Sequence, residues 1–215
     1  MATDLIIVGA SGFGREVAWL ASEASESYRV LGFLDDRRDI STSQLGGLPW
    51  LGVIDEWRNF SSASFVVAIG IPRTRAKVVE RMQSYGKPNF ATLIHRNLCI
   101  GPACVFAPGA IVCAGCIITT NISIGSHAII NIGCTIGHDV RIGSFVTLAP
   151  QVAISGCVTL SDGVEIGTSA SVLQGLTIEK GAMLGMGSVL TKNIVDSSLY
   201  FGVPAKSIKE LAPFL

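Results

Sequence analysis

Ile124-Gly-Ser-His-Ala-Ile-Ile130-Asn-Ile-Gly-Cys-Thr-Ile136-Gly-His-Asp-Val-Arg-Ile142-Gly143 sets the reading of the whole chain. A large aliphatic residue returns every six positions, and glycine often follows it. Counting by six from Ile100 gives Ile100, Phe106, Val112, Ile118, Ile124, Ile130, Ile136, Ile142, Leu148, Ile154, Leu160, Ile166, Val172, Ile178, Leu184 and Leu190; all sixteen are apolar and no insertion interrupts them. Four places beyond each lies a small or branched residue, such as Cys104, Ala110, Cys116, Ala128, Cys134, Val140, Val158 or Ala182. A helix repeats every 3.6 residues and a strand every two, so a fixed period of six marks short strands joined by turns. One side chain per hexad points inward and the small residue fills the corner. Three hexads close a triangular coil, and coils stack at about 4.8 Å, the strand spacing. The fifteen hexads from Ile100 predict five coils.

An eighteen-residue coil makes stacked neighbours. Cys116 falls beneath Cys134 in the interior, and both read as small buried hydrophobes. Their spacing permits a disulfide, which a reducing compartment disfavours. Cys113 and Cys116 have a CxxC spacing with no second pair, and the repeat already accounts for Cys116. His138 occupies neither interior position of its hexad, so it is predicted on the outside, next to Asp139. An imidazole titrates near neutrality, and a neighbouring carboxylate fixes its tautomer and stabilises the imidazolium, which suits a general base. One coil further the column holds Gly156, which leaves room above the ring and offers a backbone N–H to an oxyanion. His127 has Phe145 one coil above it and no adjacent acid, so it reads as structural or interfacial. His95 reads as a contact between the two halves of the chain. A zinc site of the gamma carbonic anhydrase type needs three converging histidines, and the repeat region has two.

The residues before the repeat read differently. Leu5-Ile-Ile-Val8 is a buried strand, Gly9-Ala-Ser-Gly-Phe-Gly14 a glycine turn, and Arg15–Ala21 a helix with Val17, Leu20 and Ala21 on one face. Val30–Leu34 ends in Asp35-Asp36, and Phe65–Ile69 ends at Gly70. Pro72 opens a helix to about Tyr85. Strand and helix alternate, which predicts a Rossmann-like parallel sheet. A glycine turn before a helix offers N–H groups and a positive dipole to phosphate, and an acid ending the next strand accepts from ribose hydroxyls. The spacing is GxxGxG rather than GxGxxG, and the segment is short for a dinucleotide fold, so a mononucleotide or nucleotide-sugar fits better than NAD. Residues 1–90 are expected to form this domain, and 91–215 the repeat domain with a C-terminal tail.

Lysine plus arginine and aspartate plus glutamate both number 16, so the net charge is zero and no basic stripe points to nucleic acid. Apolar residues make up 49%, glycines number 24, and charged residues are only 15%, a balance suited to tight β corners. No apolar run reaches the ~20 residues of a membrane helix, and the N-terminus lacks a basic leader region. A cytoplasmic protein with reduced cysteines is expected.

The ordered set Gly9–Gly14, Gly32-Phe-Leu-Asp-Asp36, Ala68-Ile-Gly70, the hexads, Gly137-His-Asp139 and Gly202-Val-Pro-Ala-Lys206 resembles the bacterial sialic acid O-acetyltransferases and nucleotide-amino-sugar N-acetyltransferases, over the whole chain. The resemblance implies a left-handed β-helix, a homotrimer, and acetyl-CoA as co-substrate in the groove between neighbouring prisms, with no metal. It implies His138 as base and Asp139 as the residue tuning it. It places Ser11, Gly12, Phe13, Asp35, Asp36 and Gly70 on the nucleotide-sugar, Asn131 near the reacting group, and Thr147, Gly156, Thr168 and Met186 along the acetyl-CoA. The Gly202–Lys206 segment would cap the distal end of that channel. Two positions depart from the family pattern: Phe13 stands where many members carry histidine, and Thr147 where some have a second histidine near the thioester. The expected reaction is direct transfer of acetyl to a sugar amine. O-acetylation of sialic acid and a non-catalytic trimeric sugar-nucleotide scaffold are the alternatives.

Overall fold

The computed structural model describes residues 2–24, 26–37 and 45–215. Strand β1 (Thr3–Val8) is central in a parallel sheet of order β3-β2-β1-β4-β5, with β2 Tyr28–Leu34, β3 Trp50–Gly52, β4 Ser64–Val67 and β5 Asn89–Phe90. Leu5, Ile6, Ile7 and Val8 are all fully buried, because both faces of this strand are covered. On one face lie Val17, Leu20 and Ala21 of helix α1 (Gly12–Ser22). On the other lie Val79 and Met82 of helix α2 (Pro72–Ser84) and Trp57 of a 3₁₀ helix (Ile54–Phe60). The glycine turn is tighter than its sequence alone indicates. Gly9 has φ +104°, and a Cβ on Gly14 would sit 2.1 Å from the Gly9 carbonyl oxygen, so α1 starts at Gly12 rather than at Arg15.

From Leu93 the chain winds as a parallel β-helix. Among the described residues, seventeen two-residue strands run from β6 (Leu93–Ile94) to β22 (Val189–Leu190). They form three walls, of six and five strands and a third extended to eight by the terminal hairpin of β23 (Ser198–Gly202) and β24 (Ala205–Glu210). Ile118 pairs with Ile136 and Ile136 with Ile154, Ile124 with Ile142, and Ile130 with Leu148, so each coil takes eighteen residues. The coil begins one hexad earlier than counted from Ile100. Ile94 takes the inward position, and Leu98, four beyond it, packs against the coil core as Leu176 does in a later hexad.

The corners from Ala103 to Gly187 share one backbone conformation. There the residue three beyond the inward apolar one adopts positive φ: it is glycine at 109, 115, 133, 163, 175, 181 and 187, and a non-glycine residue such as His127, Asp139, Phe145 or Cys157 at the others. Non-glycine residues pay a conformational cost there. The eight-stranded wall carries the five-stranded sheet: Ile111, Ile129 and Cys113 share one core with Leu5, Ile7, Val17 and Val66. Gly202–Lys206 forms the turn of the terminal hairpin, with Ala205 packed against the coil interior. The tail folds back on its own chain. Phe214 covers Gly163 and Gly181, lies beneath the Arg73 and Lys180 cations, and Arg73 donates to the Ala212 carbonyl.

Candidate active site

The corner between the six- and five-stranded walls carries His138. It is exposed, and its Nδ1 lies 2.7 Å from Asp139 Oδ2. Asn121, one coil below, donates from Nδ2 to Asp139 Oδ1 at 2.6 Å. The Asn121 amide first, and His138 second, hold the Asp139 carboxyl below its ordinary range. With Nδ1 engaged by the carboxylate, Nε2 is the free ring nitrogen, and it faces Gly156. A Cβ on Gly156 would lie 2.6 Å from Nε2, so only glycine leaves the niche open. The Gly156 N–H donates to no group among the described residues, whereas its carbonyl accepts from Gly175. A base and an open hydrogen-bond donor therefore stand side by side on a rigid corner. Cys157 borders the same corner, its donor atom within 4.8 Å of those of His138 and Asp139, and sequence reasoning passed over it.

The second concavity is a cleft of about 840 Å³ between the sheet and the eight-stranded wall. Gly9, Ser11, Phe13, Asp35, Asp36, Gly70, Asn131 and Thr147 all line it, so loops distant in sequence converge as their motifs suggest. Gly12 opens α1 beside it and is not among the lining residues. The two aspartates also have structural bonds. Asp35 Oδ2 accepts the Ala10 N–H of the glycine turn at 2.7 Å, and Asp36 Oδ1 accepts the Ile54 N–H. Burial raises the Asp35 pKa, but the Arg37 guanidinium and the N–H groups of Ala10 and Arg37 outweigh it and leave the carboxyl low.

One wall of the cleft is fixed by a residue that sequence reasoning missed. Arg75 is fully buried, and burial pushes its guanidinium down to about 9. Nε donates to the His127 carbonyl at 2.8 Å, and Nη2 to the Phe145 carbonyl at 2.8 Å and Thr147 Oγ1 at 2.9 Å. Nη1 donates to the carbonyls of Ile69 and Gly70. The readable signal is a cation on the buried face of α2, in line with Val79 and Met82. Thr147 Oγ1 in turn donates to the Gly70 carbonyl at 2.7 Å. Thr147 thus braces the cleft, on the eight-stranded wall and away from the Gly156 corner of the same chain.

His127 is 4% exposed, stacked on Phe145 at 5.2 Å and 9°, and edge-on to Phe90. Burial and the Arg75 charge push its pKa down to about 4, which matches the structural reading. His95 bridges to Ala24, joining the two halves. All six cysteines are free thiols, Cys116 and Cys134 included.

The candidate residues fall on different corners. His138 and Gly156 stand where the six- and five-stranded walls meet. Asn131, Thr168 and Met186 stand where the eight- and six-stranded walls meet. The first corner is the vertex opposite the eight-stranded wall on which the cleft lies.

The chain thus combines a parallel sheet flanked by helices with a hexapeptide β-helix that carries an outward His–Asp pair at one corner. Residues 4–82 match the family model described as the PglD N-terminal domain. The chain is similar over nearly its whole length to PerB from Caulobacter crescentus, solved in complex with CoA and GDP-perosamine, at 28% identity, TM-score 0.86, covering 97% of this chain and 98% of that one. It is also similar to the acetyltransferase domain of PglB from Neisseria gonorrhoeae in complex with acetyl coenzyme A, at 27% identity and TM-score 0.87, over 97% of this chain and 100% of that one. UDP-N-acetylbacillosamine N-acetyltransferase of Bacillus subtilis is 32% identical over 116 residues, which span 52% of this chain and only 51% of that relative. The resemblance drawn from the motifs is upheld, and with it the left-handed β-helix of hexapeptide acetyltransferases. No helix among the described residues is long and apolar enough to cross a membrane.

Proposed function

We propose that the protein transfers the acetyl group of acetyl-CoA to the amino group of a nucleotide-linked amino sugar, by direct attack with His138 as general base. The observation that carries this reading is the open niche at Gly156 over an imidazole held by Asp139. The amine loses its proton to Nε2 as its lone pair attacks the thioester carbon. The Gly156 N–H donates to the developing oxyanion, and collapse expels the CoA thiolate, which takes the proton from Nε2 and leaves as thiol. Residues 1–90 hold the nucleotide-sugar in the cleft, and 91–215 supply the transfer chemistry. Similarity to proteins solved with CoA, acetyl coenzyme A and GDP-perosamine supports both ligand classes.

The site needs more than one copy of the chain. His138 and the cleft occupy a vertex and its opposite wall, and Gly156 is on a different corner from Thr168 and Met186. Packing side by side in a homotrimer sets the His138 corner of one protomer against the Asn131–Met186 corner of its partner, and acetyl-CoA lies between them. The apolar side chains of Ile117, Ile132 and Met186, all exposed in the single chain, suit such a contact. The test is thiol release from acetyl-CoA with a panel of UDP-, dTDP- and GDP-linked amino sugars and sialic acids. Release with an amino sugar supports the reading. Release with sialic acid alone assigns O-acetylation, and binding with no thiol release assigns a scaffold.

A further inference from the structure

Cys157 is a nucleophilic group of the His138 corner that the proposed transfer does not use. It sits one coil above Asp139, and both hold left-handed corner positions, at φ +59° and +60°. The Cys157 N–H donates to the His138 carbonyl at 2.8 Å, which ties the two coils together at this point. Donor atoms of His138, Asp139 and Cys157 lie within 4.8 Å of one another, and all three residues are exposed. Asn121 binds Asp139 Oδ1, which leaves Oδ2 to His138. The thiols of Cys104, Cys116 and Cys134 each donate to a carbonyl, whereas the Cys157 thiol has no partner among the described residues.

Imidazole, carboxylate and thiolate form a donor set of borderline softness. It suits zinc, and it suits magnesium and calcium poorly, because those ions take oxygen. A tetrahedral zinc holds such donors about 3.5 Å apart. The exposed Cys157 side chain can turn about χ1 to close the distance, and ring and carboxylate need part by only about half an ångström. We propose that His138, Asp139 and Cys157 form an inhibitory zinc site, with three protein ligands and the fourth position open to water. The thiol gives up its proton to solvent as the ion binds. Asn121 is the outer partner that fixes the ligating carboxylate. Either ring nitrogen can serve, and either way the base is lost. A metal on Nε2 occupies the lone pair that takes the amine's proton, and a metal on Nδ1 leaves the ring's proton on Nε2. The inhibition rests on the reading of His138 as base; the binding does not.

The full chain, stripped of metal with a chelator, tests the site with zinc, cobalt and magnesium chlorides as probes. Calorimetry is expected to show a zinc site of Kd about 10 μM or tighter, and no magnesium binding. Cobalt should give the intense visible absorption of a tetrahedral ion and a thiolate-to-cobalt charge-transfer band in the near ultraviolet. Cys157→Ser is expected to weaken zinc at least about 30-fold and to abolish that band, while acetyl transfer without metal stays within about 2-fold of wild type. Cys157→Gly, which suits the left-handed corner, should behave alike and guards against a serine variant that fails to fold. Acetylated product, followed by mass spectrometry, should fall at least about 10-fold in the wild type at saturating zinc and return on adding EDTA. No zinc binding, a cobalt spectrum without the thiolate band, or zinc held equally tightly by both Cys157 variants overturns the site. Zinc bound with the thiolate band present, but acetyl transfer undiminished, upholds the site and refutes His138 as base. Absence of acetyl transfer in the metal-free wild type refutes the transferase reading itself, while calorimetry and the cobalt spectrum still decide the site.

Discussion

His127 and His138 stand on neighbouring corners of the same coil and have opposite environments. His138 stays in water with one nitrogen held by Asp139, while His127 is enclosed by Phe90 and Phe145. His138→Ala is expected to lower kcat by about 10²–10⁴-fold, the usual range for a lost general base, with the circular dichroism spectrum unchanged. Gly156→Ala puts a methyl 2.6 Å from Nε2 and should cost about 10²-fold or more in kcat through misplacement of the ring or the thioester. His127 gives a pH prediction. Its folded pKa of about 4 lies below the unfolded value near 6.5, so between them the unfolded chain binds the extra proton. Stability from this residue is complete above about pH 6.5 and is lost as pH falls toward 4, a change of about 3 kcal/mol at most. Urea unfolding from pH 7 to 4 should show a shallower decline in His127→Leu than in the wild type. Equal slopes would contradict the buried neutral ring.

At the scale of elements, the repeat was the most legible feature, because each hexad must place one aliphatic residue inside a coil of fixed circumference. The same periodicity located the Gly156 niche, since residues eighteen apart stack. The one hexad not counted was the first, at Ile94, which the glycine signature does not mark because His95 follows it instead of glycine. The first sheet was read less completely. Trp50–Gly52, Asn89–Phe90 and the 3₁₀ helix are short, and sequence pattern assigns such pieces poorly without their neighbours. Arg75 was not singled out, because it belongs to no local motif and its importance comes from the contact it makes between α2 and the β-helix. Arg75→Met should strand several buried carbonyls, destabilising the fold by about 2–4 kcal/mol. It should also raise KM for the nucleotide-sugar through Gly70 and Thr147, while leaving KM for acetyl-CoA within about 2-fold. Equal changes in both KM values would deny Arg75 a part in shaping the cleft.

For the whole molecule, the account depends on a site shared between protomers. His138 lies on the vertex opposite the wall that carries the cleft, and a rigid prism cannot fold to join them. Three copies of the 22.6 kDa chain should elute with a light-scattering mass of about 68 kDa. Mixing two inactive variants is the more direct measurement. His138→Ala removes the base. Gly70→Trp fills the cleft, and the Gly70 position has nothing within 4 Å of an added Cβ, so the substitution leaves the fold intact. Neither variant should release CoA alone. Unfolded together and refolded as mixed trimers, they should regain up to about one quarter of wild-type activity, the chance that an intact His138 meets an intact cleft on its neighbour. No recovery on mixing, with mixed trimers shown to form, would place base and cleft in the same chain and contradict the account.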